Sequence, residues 1–252
     1  MNCSISINNQ SYVFDTEIFF DLSIPINFKG DQVNFFDVSS ATSVPYKSGE
    51  IIGSTKKGGG CNFDVISLIP HCNGTHTECV GHIVDEEINI NTILKNNFFP
   101  TTLITVQAEE GLIRSDQIKV DNVNFNSGLI VRTIPNDKNK MFMTYDSKNI
   151  APYFSENAMY KIKEMGINHL LVDMPTIDFS YDDGRLINHH VFWGIDQGSH
   201  KVNEVISHNT ITEMIFVPNK IKDGNYLLQL QIINFTGDAA PSRPIIYPLE
   251  II

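Results

Sequence analysis

The chain has 252 residues, 42% hydrophobic and 19% charged, which suffices for a well-buried core and excludes a disordered protein. A formal net charge of −11 argues against nucleic acid or an anionic membrane as the main partner. The polar start Met1–Gln10 has no signal-peptide pattern, and no stretch approaches the ~18 apolar residues that span a bilayer, so a cytoplasmic protein is expected.

In chain order, Tyr12-Val13-Phe14 and Ile18 to Ile24 read as strand, and residues 28–62, with Gly58-Gly59-Gly60, as loops and short hairpins. Asn62 to Ile69 alternates in part and reads as a strand leading to Pro70. Residues 101–107 and 128–133 are rich in β-branched side chains and predict buried strands. Ser155 is a candidate N-cap for a helix carrying Met159, Ile162 and Met165 at helical spacing, which Gly166 would end. Ile167 to Val172 and Ile211 to Val217 read as core strands, and Gly224 to Ile233 with Arg243 to Ile252 as a hairpin-like pair around a turn at Gly237-Asp238. With strands outnumbering helices and no linker composition, the pattern predicts one mixed α/β domain over residues 1–252. Cys3, Cys61, Cys72 and Cys79 show no CxxC spacing and read as reduced thiols.

The chemistry concentrates in His71-Cys72-Asn73-Gly74-Thr75-His76-Thr77-Glu78-Cys79-Val80-Gly81-His82. On an extended segment His76 and Glu78 point the same way, and one helical turn would bring His82 beside Glu78. His71 could fold back across the Asn73-Gly74 turn onto the same point. Imidazole and carboxylate are ligands for zinc, manganese or iron, but the spacing matches no zinc-finger or HExxH pattern, so it leaves the metal and the reaction open. Asp173 ends an apolar strand, where it is either a site residue or a turn residue before Pro175. Glu213 lies in an apolar strand pattern, where it either faces solvent or is buried with a partner such as a metal.

Gly74-Thr75-His76-Thr77-Glu78 with His82 resembles the signature of the cyclase family, which includes the bacterial metal-dependent kynurenine formamidases and carries the form His-x-Gly-Thr-His-x-Asp-x-Pro-x-His. Further matches follow in order. Asp21 to Ile26 is similar to the family's opening strand, and Phe28-Lys29-Gly30-Asp31 to its Trp-Pro-Gly-Asp segment. Asp173 to Asp178 resembles Asp-Thr-Pro-Ser-x-Asp, His189-His190 and Glu213 its second ligand set, and Asp238 to Arg243 its Asp-Gly-Ser-Pro-x-Arg. Asn73 looks inserted, Glu78 stands for aspartate, Val80 for proline and Phe28 for tryptophan, and the segment between His190 and Glu213 is longer.

The resemblance implies a swivelling β/β/α fold and a homodimer or dimer-based oligomer. It implies one or two divalent metal ions, zinc first and manganese second. His71, His76 and Glu78 would be ligands, with His189 on a second metal and Glu213 bridging. His82 would be the acid/base, Phe28 would stack on substrate, and His190 would be structural or support a ligand. The implied activity is hydrolysis of an aryl formamide such as N-formylkynurenine. A cyclic amide such as isatin, a lactone, or a metal- or ligand-binding role with little catalysis are the alternatives.

Overall fold

A computed structural model describes residues 1–252. Its organising element is a curled nine-stranded sheet. In chain order the strands are β1 (Phe20–Asp21), β2 (His76–Glu78), β3 (Phe98–Gln107), β4 (Gly128–Ile134), β5 (His169–Val172), β6 (Thr210–Glu213), β7 (Gly224–Gln229), β8 (Ala239–Pro241) and β9 (Ile245–Pro248). Their spatial order is β8-β2-β6-β5-β4-β3-β7-β9-β1. The central four, β3 to β6, are parallel, and every pairing outside them is antiparallel. The fold class is mixed α/β, as the sequence predicts.

β4 and β5 carry consecutive apolar residues, Leu129 to Val131 and Leu170 to Val172, because both of their faces are covered. Leu129 and Val131 of β4, with Leu170 and Val172 of β5, pack on one face. There they meet Ala158, Met159 and Ile162 of one helix, and Val191, Phe192 and Trp193 of another. The intervening Ile130 and Leu171 point to the opposite face, onto Ile90, Ile93, Leu22 and Leu228. Four helices serve this frame: α1 (Pro70–Asn73), α2 (Ile90–Ile93), α3 (Glu156–Glu164) and α4 (Ile187–Trp193). Ser155 caps α3 as expected, accepting the Ala158 N–H at 3.2 Å, and Gly166 follows in the left-handed region at φ 74°.

The expected strand leading to Pro70 is present as Asp64–Ser67, paired only with Thr42–Pro45 in an exposed hairpin. Two expectations are corrected. Ile211 to Val217 does not run straight: β6 stops at Glu213 because Met214 adopts φ 53°, after which Phe216 N–H bonds the Leu22 carbonyl. β7 and β9 pair antiparallel as expected, but Gly237-Asp238 is not the turn that joins them, because the chain first makes the edge strand β8 on β2. Asn2–Ile7, Gln10–Asp15 and Glu250–Ile251 form a separate three-stranded sheet that ties the two ends of the chain together. No helix is long and apolar enough to cross a membrane.

Candidate metal centre

Strand β2 lies between β6 and β8, antiparallel to both, so its three residues are buried on all sides. The register sets Glu213 opposite His76, and Ala239 opposite Glu78. Upstream, Pro70 opens the single turn α1, and Asn73 closes it. The Asn73 Oδ1 accepts the Ile69 N–H at 2.7 Å and its Nδ2 donates to the Ser39 carbonyl at 3.1 Å. This turn absorbs the extra residue and returns His71 Nε2 to 3.5 Å from Glu78 Oε2. Downstream, a 3-10 turn over Val80–His82 brings His82 Nε2 to 3.8 Å from the same oxygen. Gly81 is required there, because a Cβ would lie 2.1 Å from the Ile88 carbonyl oxygen.

Helix α4 supplies His189 from the far side. Its Nε2 lies 3.0 Å from Glu78 Oε1, and its Nδ1–H donates to Asp178 Oδ2 at 2.6 Å. The segment before α4 also holds Glu213, whose Oε1 accepts the Ile177 N–H at 3.0 Å. Asp238, just before β8, completes the ring of groups. Its Oδ2 accepts the His82 Nδ1–H at 3.2 Å and lies 3.0 Å from His71 Nε2, the latter out of hydrogen-bond alignment.

Three triplets converge so that their ligand atoms lie within 4.8 Å of one another: His76 with Glu78 and Glu213, Glu78 with His82 and His189, and His71 with His82 and Asp238. The telling group is His76. Its Nδ1–H donates to the Gly74 carbonyl at 3.0 Å, so Nε2 carries a lone pair. That atom is fully buried without a hydrogen-bond partner and faces Glu213 Oε2 at 3.5 Å and Glu78 Oε2 at 4.0 Å. A buried acceptor aimed at two carboxyl groups goes unsatisfied unless a cation lies among them. Burial, followed by the charge of His71, pulls His76 down to about 4, which keeps it neutral and ready to ligate. Burial and the nearby Glu78 charge push Glu213 well above the usual carboxylate range. Burial also opposes charge on Glu78, but the imidazoles of His82, His189 and His71 hold it low. The donor set therefore fits a divalent metal.

The cluster floors a cavity of about 440 Å³ whose outer wall includes Phe35, Phe36, Ile69 and Phe179. Phe28 does not line it; it sits in the turn after Asn27, and the chain reaches the cavity only at Phe35. His190 is turned away, its ring nitrogens facing the Leu186 and Ser199 carbonyls at 2.9 and 3.2 Å. Asp173 also points elsewhere, to Thr133 and to Lys140 Nζ at 2.8 Å. A larger cleft of about 520 Å³ along β3 has no histidine in its lining. Sequence reasoning singled out neither Asp178 nor Asp238 as site residues. The only signal for them was their place in the two aspartate-led segments.

A family model described as "Putative cyclase" matches residues 20–179. No curated protein matches the sequence. The fold is similar to the structure of a "predicted metal-dependent hydrolase" from Bacillus stearothermophilus, 17% identical over 91% of this chain and 97% of that one, with a TM-score of 0.60. It is similar to an isatin hydrolase bound to the product analogue thioisatinate, 11% identical over 92% of each chain, with a TM-score of 0.64. A third is isatin hydrolase A from Ralstonia solanacearum, 12% identical over 91% of each chain, with a TM-score of 0.63. At these identities the likeness is one of fold.

Proposed function

The chain belongs to the cyclase family, and from there we propose that it is a metal-dependent hydrolase of an aryl amide or lactone. Two substrate kinds fit this reading: an aryl formamide such as N-formylkynurenine, and a cyclic amide such as isatin. The observation that carries it is the His76 Nε2 lone pair facing two buried carboxylates. His71, His76 and Glu78 would hold one divalent ion, and Glu78, His189 and Glu213 a second, with zinc the first candidate and manganese the next. Such an ion polarises a carbonyl oxygen and lowers the pKa of a water from ~15.7 to near ~7.

The remaining work falls to the chain. Asp178 takes the Nδ1–H of His189 and fixes its tautomer, so that Nε2 faces the cage. Asp238 does the same for His82, leaving Nε2 on the cavity side. That nitrogen is placed to take a proton from the attacking water and hand it to the departing amine, a two-way task suited to an imidazole. The balance is amide plus water giving amine plus carboxylic acid, which ionises to carboxylate and a proton. The outer aromatic wall would receive the aryl ring. The reading also includes a homodimer or dimer-based oligomer, which sedimentation velocity would detect.

Elemental analysis of purified protein tests the site. Near-stoichiometric zinc or manganese is expected in the wild type and at least a tenfold loss in His76→Ala; absence of metal from the wild type, with none taken up on addition, would sink the reading. His82→Ala should keep its metal while turnover falls at least ~100-fold. Unchanged turnover in that variant would remove His82 from the acid/base role, and absence of turnover in both proteins would reassign the chain as a binder.

A further inference from the structure

The outer half of the cavity has a chemistry of its own. Phe36 sits at its mouth with φ 60°, followed by Asp37 at φ 51°, a backbone region that costs non-glycine residues about 1 kcal/mol or more each. The strained turn is held shut from both ends. Asn34 Oδ1 accepts the Val38 N–H at 3.0 Å, Asn34 Nδ2 donates to the Val38 carbonyl at 2.8 Å, and the Phe36 N–H bonds the Tyr145 carbonyl at 2.9 Å. Its effect is to keep a large apolar ring 49% exposed at the cavity mouth. That ring stacks on Phe35, centroids 3.8 Å apart and 25° between planes, and meets Tyr181 edge-on at 6.3 Å. Leu186, also in the lining, is likewise left-handed at φ 47°. A protein that spends backbone strain to present apolar groups to a cavity is holding a clamp, and aromatic walls fit a flat ring.

The acidic side chains of the cavity wall are all engaged. The cavity wall contains no lysine or arginine. The nearby Lys140 is fixed on Asp173, and Arg185 Nε donates to the Asp182 carbonyl. Of the acidic side chains in the wall, Asp182 gives both oxygens to the Gly184 and Leu186 N–H groups, and Asp178 is spent on α4 and His189. Glu78 and Glu213 belong to the cage. A carboxylate against the wall would find no lysine or arginine in it, and an ammonium no free carboxylate in it, so either would be desolvated there without compensation.

Building on the hydrolase reading, we propose that the outer cavity selects an uncharged flat aromatic ring, with Phe36 the specificity-determining side chain. N-formylkynurenine, with its charged amino-acid head, falls among the refused substrates, and an uncharged aryl cyclic amide or formanilide among the accepted ones.

The test compares matched pairs on the metal-loaded protein: formanilide with 4-formamidobenzoate, and isatin with isatin-5-carboxylate. The uncharged member should show a kcat/KM roughly 100-fold higher. Phe36→Lys should narrow that ratio at least tenfold by supplying the missing cation. Phe36→Asn, which tolerates the left-handed backbone, should raise KM for the uncharged substrate while kcat changes little. Calorimetric binding of benzamide and 4-carbamoylbenzoate gives a ranking independent of turnover. Equal or reversed preference within the pairs would overturn the clamp and leave the hydrolase reading standing. If no substrate turns over, the hydrolase reading fails and the binding ranking alone decides: tighter benzamide supports the clamp, and equal or weaker benzamide overturns it.

Discussion

Glu78 is the residue on which the cage closes. One carboxylate oxygen meets His189 at 3.0 Å, and the other lies within 4.0 Å of His71, His76 and His82. His71, delivered from the turn that contains Asn73, reaches Glu78 Oε2 at 3.5 Å. Most of this cage was legible before the fold was known, since His71, His76, Glu78 and His82 lie within one short segment. Asp238 was not, because its partners are imidazoles far away in sequence, and only the edge pairing of β8 on β2 brings them together. Its role yields a sharp expectation. Asp238→Asn keeps the shape but loses the carboxylate that fixes His82, so turnover should fall about 10–100-fold with metal content maintained. Steady-state kinetics alongside elemental analysis check this; a fully active variant would leave His82 self-sufficient.

At the scale of elements, α4 is the piece the sequence concealed. Its N-cap position is Leu186 in a left-handed conformation with no side-chain cap, so the Ser/Thr/Asp signal that announced α3 is missing. The cap comes from outside the helix: Asp178 Oδ1 accepts the Asn188 N–H at 2.7 Å and Oδ2 accepts the His189 N–H at 3.2 Å. The same carboxylate orients the His189 ring, so helix start and ligand geometry depend on one side chain. Asp178→Ala should therefore lose about 1–2 kcal/mol of stability in a denaturant melt, together with at least a tenfold loss of zinc affinity by competition with a chelator. Loss of stability with unchanged affinity would reduce Asp178 to a cap. The hairpin pairing Thr42–Pro45 with Asp64–Ser67 escaped in the opposite way. Partial alternation marks a strand but does not say which sheet receives it, and this one projects with both faces exposed.

Over the whole molecule, the parallel strands sort chemistry from stability. Glu213 ends β6 and Asp178 follows β5, so the cage gathers at the carboxyl ends of the strands, as open α/β sheets favour. His169 opens β5 at the other end, away from the cage, and offers a clean acid probe of the fold. Its side chain is buried, its Nδ1 lies 2.8 Å from Thr210 Oγ1, and its ring rests 3.8 Å from that of Phe99. Burial pulls its pKa from 6.5 to about 4. The folded chain therefore refuses a proton that the unfolded chain accepts throughout that window. Above pH 6.5 the histidine is neutral in both states and costs nothing; as pH falls, protonation favours the unfolded chain, and the penalty is complete only below about 4. At pH 5 it amounts to about 2 kcal/mol. Urea melts of the wild type and His169→Gln, both in chelator, should give stabilities that converge by about this amount between pH 7.5 and pH 5, since the glutamine takes up no proton. Parallel curves would mean that His169 is protonated within the fold and that the acid sensitivity of the molecule resides in the cage instead.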